Sequence, residues 1–278
     1  MTEQTNILDI VRSIFYHLSP AEQKVAAYVL SNHDKVQFMS ISELAEFAGV
    51  ADATVTRFCR SLELKGFNVF KLELAKCSLP KPTANNANGE NDTLRSIADE
   101  AHEAIDQTIS LIKIDEIIRT VELFEKADRV MCAGVGSSML IANECAYLFS
   151  MVAPKFIAVS DPHAQIATVA TMRPNDVVLL FSYSGATKIG IELLEAARSH
   201  GVKSILITRF HKSPMAKLSD AVLTCGSKEA PYQMGSIPAK IAQLVVIDVL
   251  YREYCGRNKK TAEENIHRIS SAISEKHI

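Results

Sequence analysis

The sequence lacks most of the features that would take it out of the ordinary globular class. Its six cysteines, at positions 59, 77, 132, 145, 225 and 255, include no C-x-x-C pair, which argues against a structural zinc site. Most lie among apolar neighbours, as in Met131-Cys132-Ala133, and read as buried free thiols of a reducing cytosol. No apolar run reaches the roughly 18 residues of a bilayer span. The opening MTEQTNILDI lacks the basic-then-apolar order of a secretory leader. A cytoplasmic chain with no membrane partner is therefore expected. Charge of neither sign is in excess: 30 Lys and Arg against 32 Asp and Glu leave a net charge of −2, so any contact with nucleic acid must come from a small local patch.

What is present is enough apolar residue, 47% of 278, for two cores. The stretch Leu79 to Asp92, LPKPTANNANGEND, has two Pro, four Asn and a Gly among few apolar residues and reads as a linker. Residues 1–78 before it read as helical throughout, with Pro20 at a first helical position behind Ser19 as its cap. Residues 93–278 begin with two helices, 93–112 and 115–127. Short apolar runs at 129–134, 155–160, 176–181, 203–208 and 221–225 then alternate with helical stretches, and a long helix at 237–254 and a helical tail follow. Such alternation implies βαβ units. The expected architecture is a small all-helical domain, a linker at 79–92 and a three-layer α/β domain with a five-stranded parallel sheet.

Within the helical part, ISELAEFAGVADATVTRFCRSL at 41–62 has the pattern of a helix-turn-helix. Ser42 and Glu43 open a short helix, Ala45 is small enough for a close crossing, and Gly49 supplies the left-handed turn. Asp52 would then cap a second helix whose buried face is Val55, Phe58 and Leu62. That spacing turns Thr54, Thr56, Arg57 and Arg60 outward, residue types that read base edges and phosphates in a major groove. Lys65 and Lys71 follow, either touching phosphates or simply solvated.

Two loops in the second part sit where an open parallel sheet binds ligands, beyond the carboxyl ends of strands. Gly134-Val135-Gly136-Ser137-Ser138 follows the first strand and opens a helix, where free N–H groups and the helix dipole favour an anion. The third glycine of a dinucleotide fingerprint is missing, because Met139 stands in its place. Ser182-Tyr183-Ser184-Gly185-Ala186-Thr187 follows the third strand. It has no lysine and no triphosphate loop, but its hydroxyls suit a phosphate monoester, which needs several donors. Helix capping alone would explain one such residue better than three.

These loops, G-x-G-S-S and then S-x-S-G-x-T, resemble the sugar isomerase (SIS) domain. T-V-T-R-F-C-R-S-L followed by K-G-F-x-x-F-K resembles the helix-turn-helix of RpiR-type regulators. Together the two resemblances cover nearly the whole chain in that family's order. They imply a DNA-binding regulator whose SIS domain binds a phosphosugar through Ser137, Ser138, Ser182, Ser184 and Thr187. Asp161-Pro162-His163-Ala164-Gln165 is similar to the family's D-x-H-x-Q segment, which implies that His163 reaches a sugar hydroxyl or the phosphate. Lys240 falls where relatives commonly carry Arg; it keeps the charge but not the bidentate fork, and either contacts the ligand or makes a structural ion pair. Within the family the chain looks most like the repressors of sialic-acid catabolism, whose effector is N-acetylmannosamine 6-phosphate.

The resemblance implies operator DNA, a sugar-phosphate effector and a homodimer (or a tetramer) as partners. It implies no cofactor, metal or catalytic residue, and repression relieved when the effector binds. The alternative is a phosphosugar isomerase with an accessory DNA-binding domain. Glu144, His163 and Glu192 are of the right type for its general base, but none stands in a context that marks it as catalytic.

Overall fold

The computed structural model describes residues 6–77, 89–227 and 235–274. The chain divides into two compact units, one running up to Ala98 and the other comprising Asp99–Ser227 and Gly235–Ile278. Of the stretch 79–92 expected to be a linker, residues 79–88 lie outside the described residues.

The first unit is helical: α1 Ile7–Ile14, α2 Pro20–Val36, α3 Ile41–Ala48, α4 Asp52–Ser61 and α5 Phe67–Cys77. Its core is one cluster in which Val25 and Val29 of α2, Leu44 of α3, Val55 and Phe58 of α4 and Phe70 of α5 are fully enclosed. Pro20 is the first helical residue and Ser19 its cap, as expected, and the cap is reciprocal. Glu22 accepts from both the backbone N–H and the hydroxyl of Ser19, and its other oxygen accepts from Ser61 at the end of α4 at 2.9 Å. One carboxylate thus starts α2 and ties it to α4.

The second unit follows the alternation read from the sequence. In order the chain carries α6 Gly89–Leu111, whose part from Asp99 on belongs to this unit, then α7 Ile114–Lys126, β1 Val130–Gly134, α8 Ser137–Ser150, β2 Phe156–Ala158, α9 Pro162–Val169, β3 Val177–Phe181, α10 Lys188–Ser199, β4 Lys203–Thr208, β5 Ala221–Thr224, α11 Ile237–Arg257 and α12 Lys259–Ser274. Helix α6 begins inside the stretch read as linker, four residues ahead of the expected 93. That first turn, Gly-Glu-Asn-Asp, has no apolar residue, so periodicity gave no sign of it. The strands form one parallel sheet in the order β2-β1-β3-β4-β5.

Every residue of β1 and β3 is buried, as a strand covered on both faces requires. Val130, Cys132, Leu179 and Phe181 point into the layer with α7, α8 and α11. Met131, Ala133, Val178 and Leu180 point into the layer with α9 and α10. Strand β2 is three residues long, half the expected 155–160. It is an edge strand with a single neighbour, and pairing ends once the chain turns into α9. Cys59, Cys132, Cys145, Cys225 and Cys255 are free, and the first four of these are buried. Burial pushes the Cys59 thiol up to about 12, as an inert core thiol should be. No helix among the described residues is long and apolar enough to cross a membrane.

The hydrogen bond from Ser19, together with that from Ser61 and the nearby Arg57 charge, outweighs burial and holds the Glu22 carboxyl below its usual range. A carboxyl lowered in the folded state contributes stability above its unfolded value, and that contribution is lost as pH falls through the folded value. Glu22→Gln is therefore expected to destabilise the helical unit at pH 7 by about 1–3 kcal/mol. The wild-type advantage should shrink as pH drops below the carboxylate range. Urea unfolding of both proteins at pH 7 and pH 3 measures it; an equal gap at both pH values would contradict this role.

Candidate functional site

The helix-turn-helix takes its shape from its caps. Ser40, one residue before the segment expected to open the helix, caps α3: its hydroxyl accepts from Glu43 N–H at 3.1 Å while the Glu43 carboxylate accepts from Ser40 N–H at 2.8 Å. Gly49 ends α3 at φ +66°, the left-handed turn that a glycine reaches without strain. The expectation that Asp52 caps α4 is corrected. Ala51 holds that position, and Asp52 is the first residue of the helix. Its carboxylate accepts from the buried Ser42 hydroxyl at 2.7 Å and so braces the two helices across the turn.

The outward face of α4 is narrower than the spacing suggested. Val55, Phe58 and Leu62 are buried as expected, but Thr54, expected outward, is only 4% exposed. Helices α2, α3 and α5 all pack on α4, which widens its buried stripe past the three-and-four pattern. The Thr54 hydroxyl accepts from the Arg57 guanidinium at 3.2 Å, so it positions an arginine instead of facing solvent itself. Thr56 is half-buried and its hydroxyl donates to Asp52 O. Arg57, Arg60 and Lys65 are exposed. Lys71 donates to Met39 O at 3.1 Å, and its ammonium lies 5.4 Å from the centre of the Phe67 ring, so at least one of its donors is used within the unit.

In the second unit the strand order decides where a ligand can go. Strand β1 lies between β2 and β3, and the chain leaves β1 into α8 on one face but leaves β3 toward α10 on the other. The carboxyl ends of these two neighbours therefore flank a crevice, the switch point of an open parallel sheet. Both expected loops stand there. Gly134 permits the first: a Cβ on it would lie 2.8 Å from Ser138 C and 2.9 Å from Ser138 O, so the start of α8 approaches at glycine distance. Gly136, at φ +60°, is the cap residue of α8 and has no side chain to fill the helix end. Ser137 and Ser138 are the first two residues of the helix, both half-exposed.

The second loop is held by the connection between β4 and β5. Thr208 Oγ1 donates to Tyr183 O, Arg209 N donates to the same carbonyl, and Met215 N donates to Gly185 O. Gly185 sits at φ +59°, and a Cβ there would meet the Ser213 hydroxyl at 2.1 Å. Ser182 is buried and its oxygen accepts from Gly185 N–H at 3.2 Å; Ser184 is half-exposed and accepts from Ala186 N–H. A hydroxyl that accepts keeps its proton to donate. Thr187 is the cap residue of α10 but its side chain makes no capping bond. Helices α9 and α11 are capped by the side chains of Asp161 and Ser236. The helices after β1 and β3 have no side-chain cap, and in the first turn of α8 the N–H groups of Ser138 and Met139 turn back to Val135 O and Gly136 O.

The structure also brings the start of α11 to the first loop: a Cβ on Gly235 would lie 2.7 Å from the Ser137 hydroxyl. Lys240, half-buried, is one turn further along α11. His163 is exposed on the first turn of α9. Gln165, quoted in the same segment but given no role by sequence reasoning, is 1% exposed. Its Nε2 donates to Gly134 O at 2.9 Å and Val159 O at 2.8 Å and so pins the ends of β1 and β2 beneath the loop. Its position two residues past the histidine was the available signal, because that spacing on a helix start turns it toward the sheet. Of the groups weighed for isomerase chemistry, Glu192 pairs with Lys188 at 3.7 Å, and Glu144 is exposed on α8. It stands about 10 Å beyond Ser137 along the helix axis.

Comparison with known proteins agrees with both parts. Residues 5–79 match the helix-turn-helix domain of the rpiR family and residues 123–252 match the SIS domain. An HTH-type transcriptional regulator of Caldanaerobacter subterraneus subsp. tengcongensis is 34% identical over 253 residues, 89% of each chain. The HTH-type transcriptional regulator HexR of Escherichia coli is 31% identical over 276 residues, 97% of this chain and 95% of HexR. Among solved structures, the NanR protein of Vibrio vulnificus complexed with ManNAc-6P is similar over 98% of this chain and 100% of that one, with a TM-score of 0.90 and 26% identity.

The close approach at Gly134 gives a direct test of the crevice. Gly134→Ala places a methyl group against the backbone of Ser138 and should weaken binding of a hexose 6-phosphate at least about tenfold, as loss of an anion cradle of this kind implies. Gly256→Ala, on α11 with open space around its Cβ, should leave binding unchanged. Calorimetric titration of both variants checks this; equal affinities would show that the loop does not hold the phosphate.

Proposed function

The chain belongs to the RpiR family of helix-turn-helix transcriptional regulators, and we propose that it represses genes of sugar or amino-sugar catabolism until a sugar phosphate releases it. The effector in this reading is N-acetylmannosamine 6-phosphate. The observation that carries the reading is the pair of helix ends without side-chain caps at the switch point, α8 and α10, with Ser137, Ser138, Ser182, Ser184 and Thr187 around them. A phosphate monoester presents three oxygens that each accept, and these donors match it. Lys240 on the adjacent helix start adds a positive charge. The solved relative with a TM-score of 0.90 is a complex with ManNAc-6P, which supports the choice of an N-acetylated amino-sugar phosphate.

The DNA-reading surface in this account is α4, with exposed Arg57 and Arg60 and the half-buried Thr56 facing the groove, Thr54 orienting Arg57, and Lys65 and Lys71 toward phosphates. The chain acts as a homodimer, which matches two α4 helices to two half-sites of a palindrome about one helical turn apart. We assign the domains as a DNA-binding part at 1–78, a linker at 79–92 and an effector-binding and dimerising part at 93–278. The reading is regulatory and not enzymatic. An isomerase needs a base within hydrogen-bond reach of the sugar carbons; Glu144 lies about 10 Å along α8 from Ser137, and Glu192 is paired with Lys188. His163 is then a ligand to the sugar.

Effector and operator compete only if the effector binds the two conformations of the dimer unequally. Arg57→Ala with Arg60→Ala should abolish the shift of a duplex selected by the wild-type chain from a randomised pool, each arginine contributing about 1–3 kcal/mol, while binding of sugar phosphate is retained. Ser182→Ala with Ser184→Ala should do the reverse: DNA binding is kept and release by N-acetylmannosamine 6-phosphate is lost. A gel-shift titration with and without that ligand reads both. Turnover of hexose phosphates at enzyme-like rates by the purified chain would overturn the regulatory reading.

A further inference from the structure

Tyr183 stands between Ser182 and Ser184, yet its side chain leaves their loop. The phenol donates to Ser227 O at 2.8 Å, and the Ser227 hydroxyl donates back to the phenol oxygen at 3.4 Å. Ser227 is buried, and its carbonyl also accepts from Arg209 Nε at 3.1 Å. One residue earlier, Gly226 N–H donates to Thr108 Oγ1 at 3.0 Å, and that hydroxyl lies 3.2 Å from Gly226 O and 2.6 Å from Ala104 O. Thr108 is fully buried in α6. The contact at Gly226 is between main chains: a Cβ there would stand 2.7 Å from Gln107 C and 2.9 Å from Thr108 N. The division between the two units of the chain falls within α6 itself. A hydrogen-bonded path therefore runs from the second loop of the crevice, through Gly226 and Ser227 shortly after β5, to the part of α6 that lies in the second unit.

Neither hydroxyl on this path is needed to fill space. The Tyr183 ring already packs edge-on against Phe210 at 6.0 Å between centres, and a valine has the shape of Thr108. What the hydroxyls supply is position. Thr108 is buried away from competing water and Tyr183 is half-buried; each fixes its partner, and a displaced partner costs about 1–3 kcal/mol if left unmet. A ligand that draws Ser182 and Ser184 toward its phosphate moves the residue between them, and the phenol at the end of that residue carries the motion to Ser227.

We propose that Tyr183, Gly226-Ser227 and Thr108 form the relay by which occupation of the crevice is conveyed to α6 and so to the DNA-reading helices. The relay rests on the sugar-phosphate-sensing reading above. Its members are positioning residues and make no contact with the ligand. Coupling between two sites is a free energy separate from either affinity, so it can be lost while both sites still bind.

The test uses the full chain as wild type, Tyr183→Phe, Thr108→Val and the double variant. Two quantities are measured: affinity for each of N-acetylmannosamine 6-phosphate, N-acetylglucosamine 6-phosphate, glucosamine 6-phosphate and glucose 6-phosphate, and affinity for the selected duplex with and without each at saturation. The expected wild-type change in duplex affinity is about tenfold or more with at least one of the four. Each single variant should bind ligand and duplex within about threefold of wild type but show a change below about threefold, and the double variant should lose no more than either single, as members of one path do. Thr108→Ser, which keeps the hydroxyl, should restore the wild-type change and separates lost coupling from lost folding. Amide exchange gives an independent reading: ligand should slow exchange in residues 104–111 of wild type and not of Tyr183→Phe. A wild-type response kept in full by Tyr183→Phe and Thr108→Val overturns the relay and leaves sensing intact. A wild-type duplex affinity that none of the four changes overturns sensing, and the relay with it.

Discussion

A parallel strand cannot turn back onto its neighbour; the chain must first cross one face of the sheet. In the order β2-β1-β3-β4-β5 this constraint sends the chain from β1 to one face and from β3 to the other, although the two strands lie side by side. Everything proposed for the second unit depends on that divergence. It opens a crevice at the carboxyl ends of β1 and β3, where α8 and α10 start. Close approach is then a matter of small residues: Gly134 admits the backbone of α8, and Gly185 admits the Ser213 side chain behind the second loop. The hydroxyls of Ser137, Ser138, Ser182, Ser184 and Thr187 occupy the rim left over.

Capping shows where the chain leaves helix ends unfilled. Ser19, Ser40, Asp161 and Ser236 each close the start of a helix with a side-chain oxygen. Gly136 and Thr187 do not, nor do Ala51 before α4 and Lys113 before α7; of these four, Gly136 and Thr187 precede the two helices at the switch point. A first turn left open exposes N–H donors that water satisfies only partly in a crevice, and an anion satisfies them better. The same economy of polar groups explains the helix-turn-helix, where buried Ser42 is matched by Asp52 and buried Thr54 by Arg57.

The strands, the two loops and the turn at Gly49 were legible because each has a local cause: apolar runs for strands buried on both faces, glycine for positive φ, and hydroxyls at helix starts. The misreadings have non-local causes. Thr54 was placed outward because periodicity describes one buried face, while three helices enclose α4. Asp52 was read as a cap because its type suits one; its true partner, Ser42, lies ten residues away across a turn. The early start of α6 and the short β2 reflect ends, where polar residues and single-neighbour pairing leave little pattern. Gln165 and Tyr183 were inside quoted motifs, but their partners, Gly134, Val159 and Ser227, are brought near only by the sheet. Residues were thus readable by type and their supports were not, because a support is defined by what it touches.

The account stands on a phosphate held between the starts of α8 and α10. A crystal structure of the chain with N-acetylmannosamine 6-phosphate tests this most directly. The predicted result is a phosphate within hydrogen-bond distance of Ser137 or Ser138 on one wall and Ser182, Ser184 or Thr187 on the other. A phosphate bound on one wall alone, or at another place on the second unit such as the cavity beside β5 lined by Lys113 and His211, would contradict it.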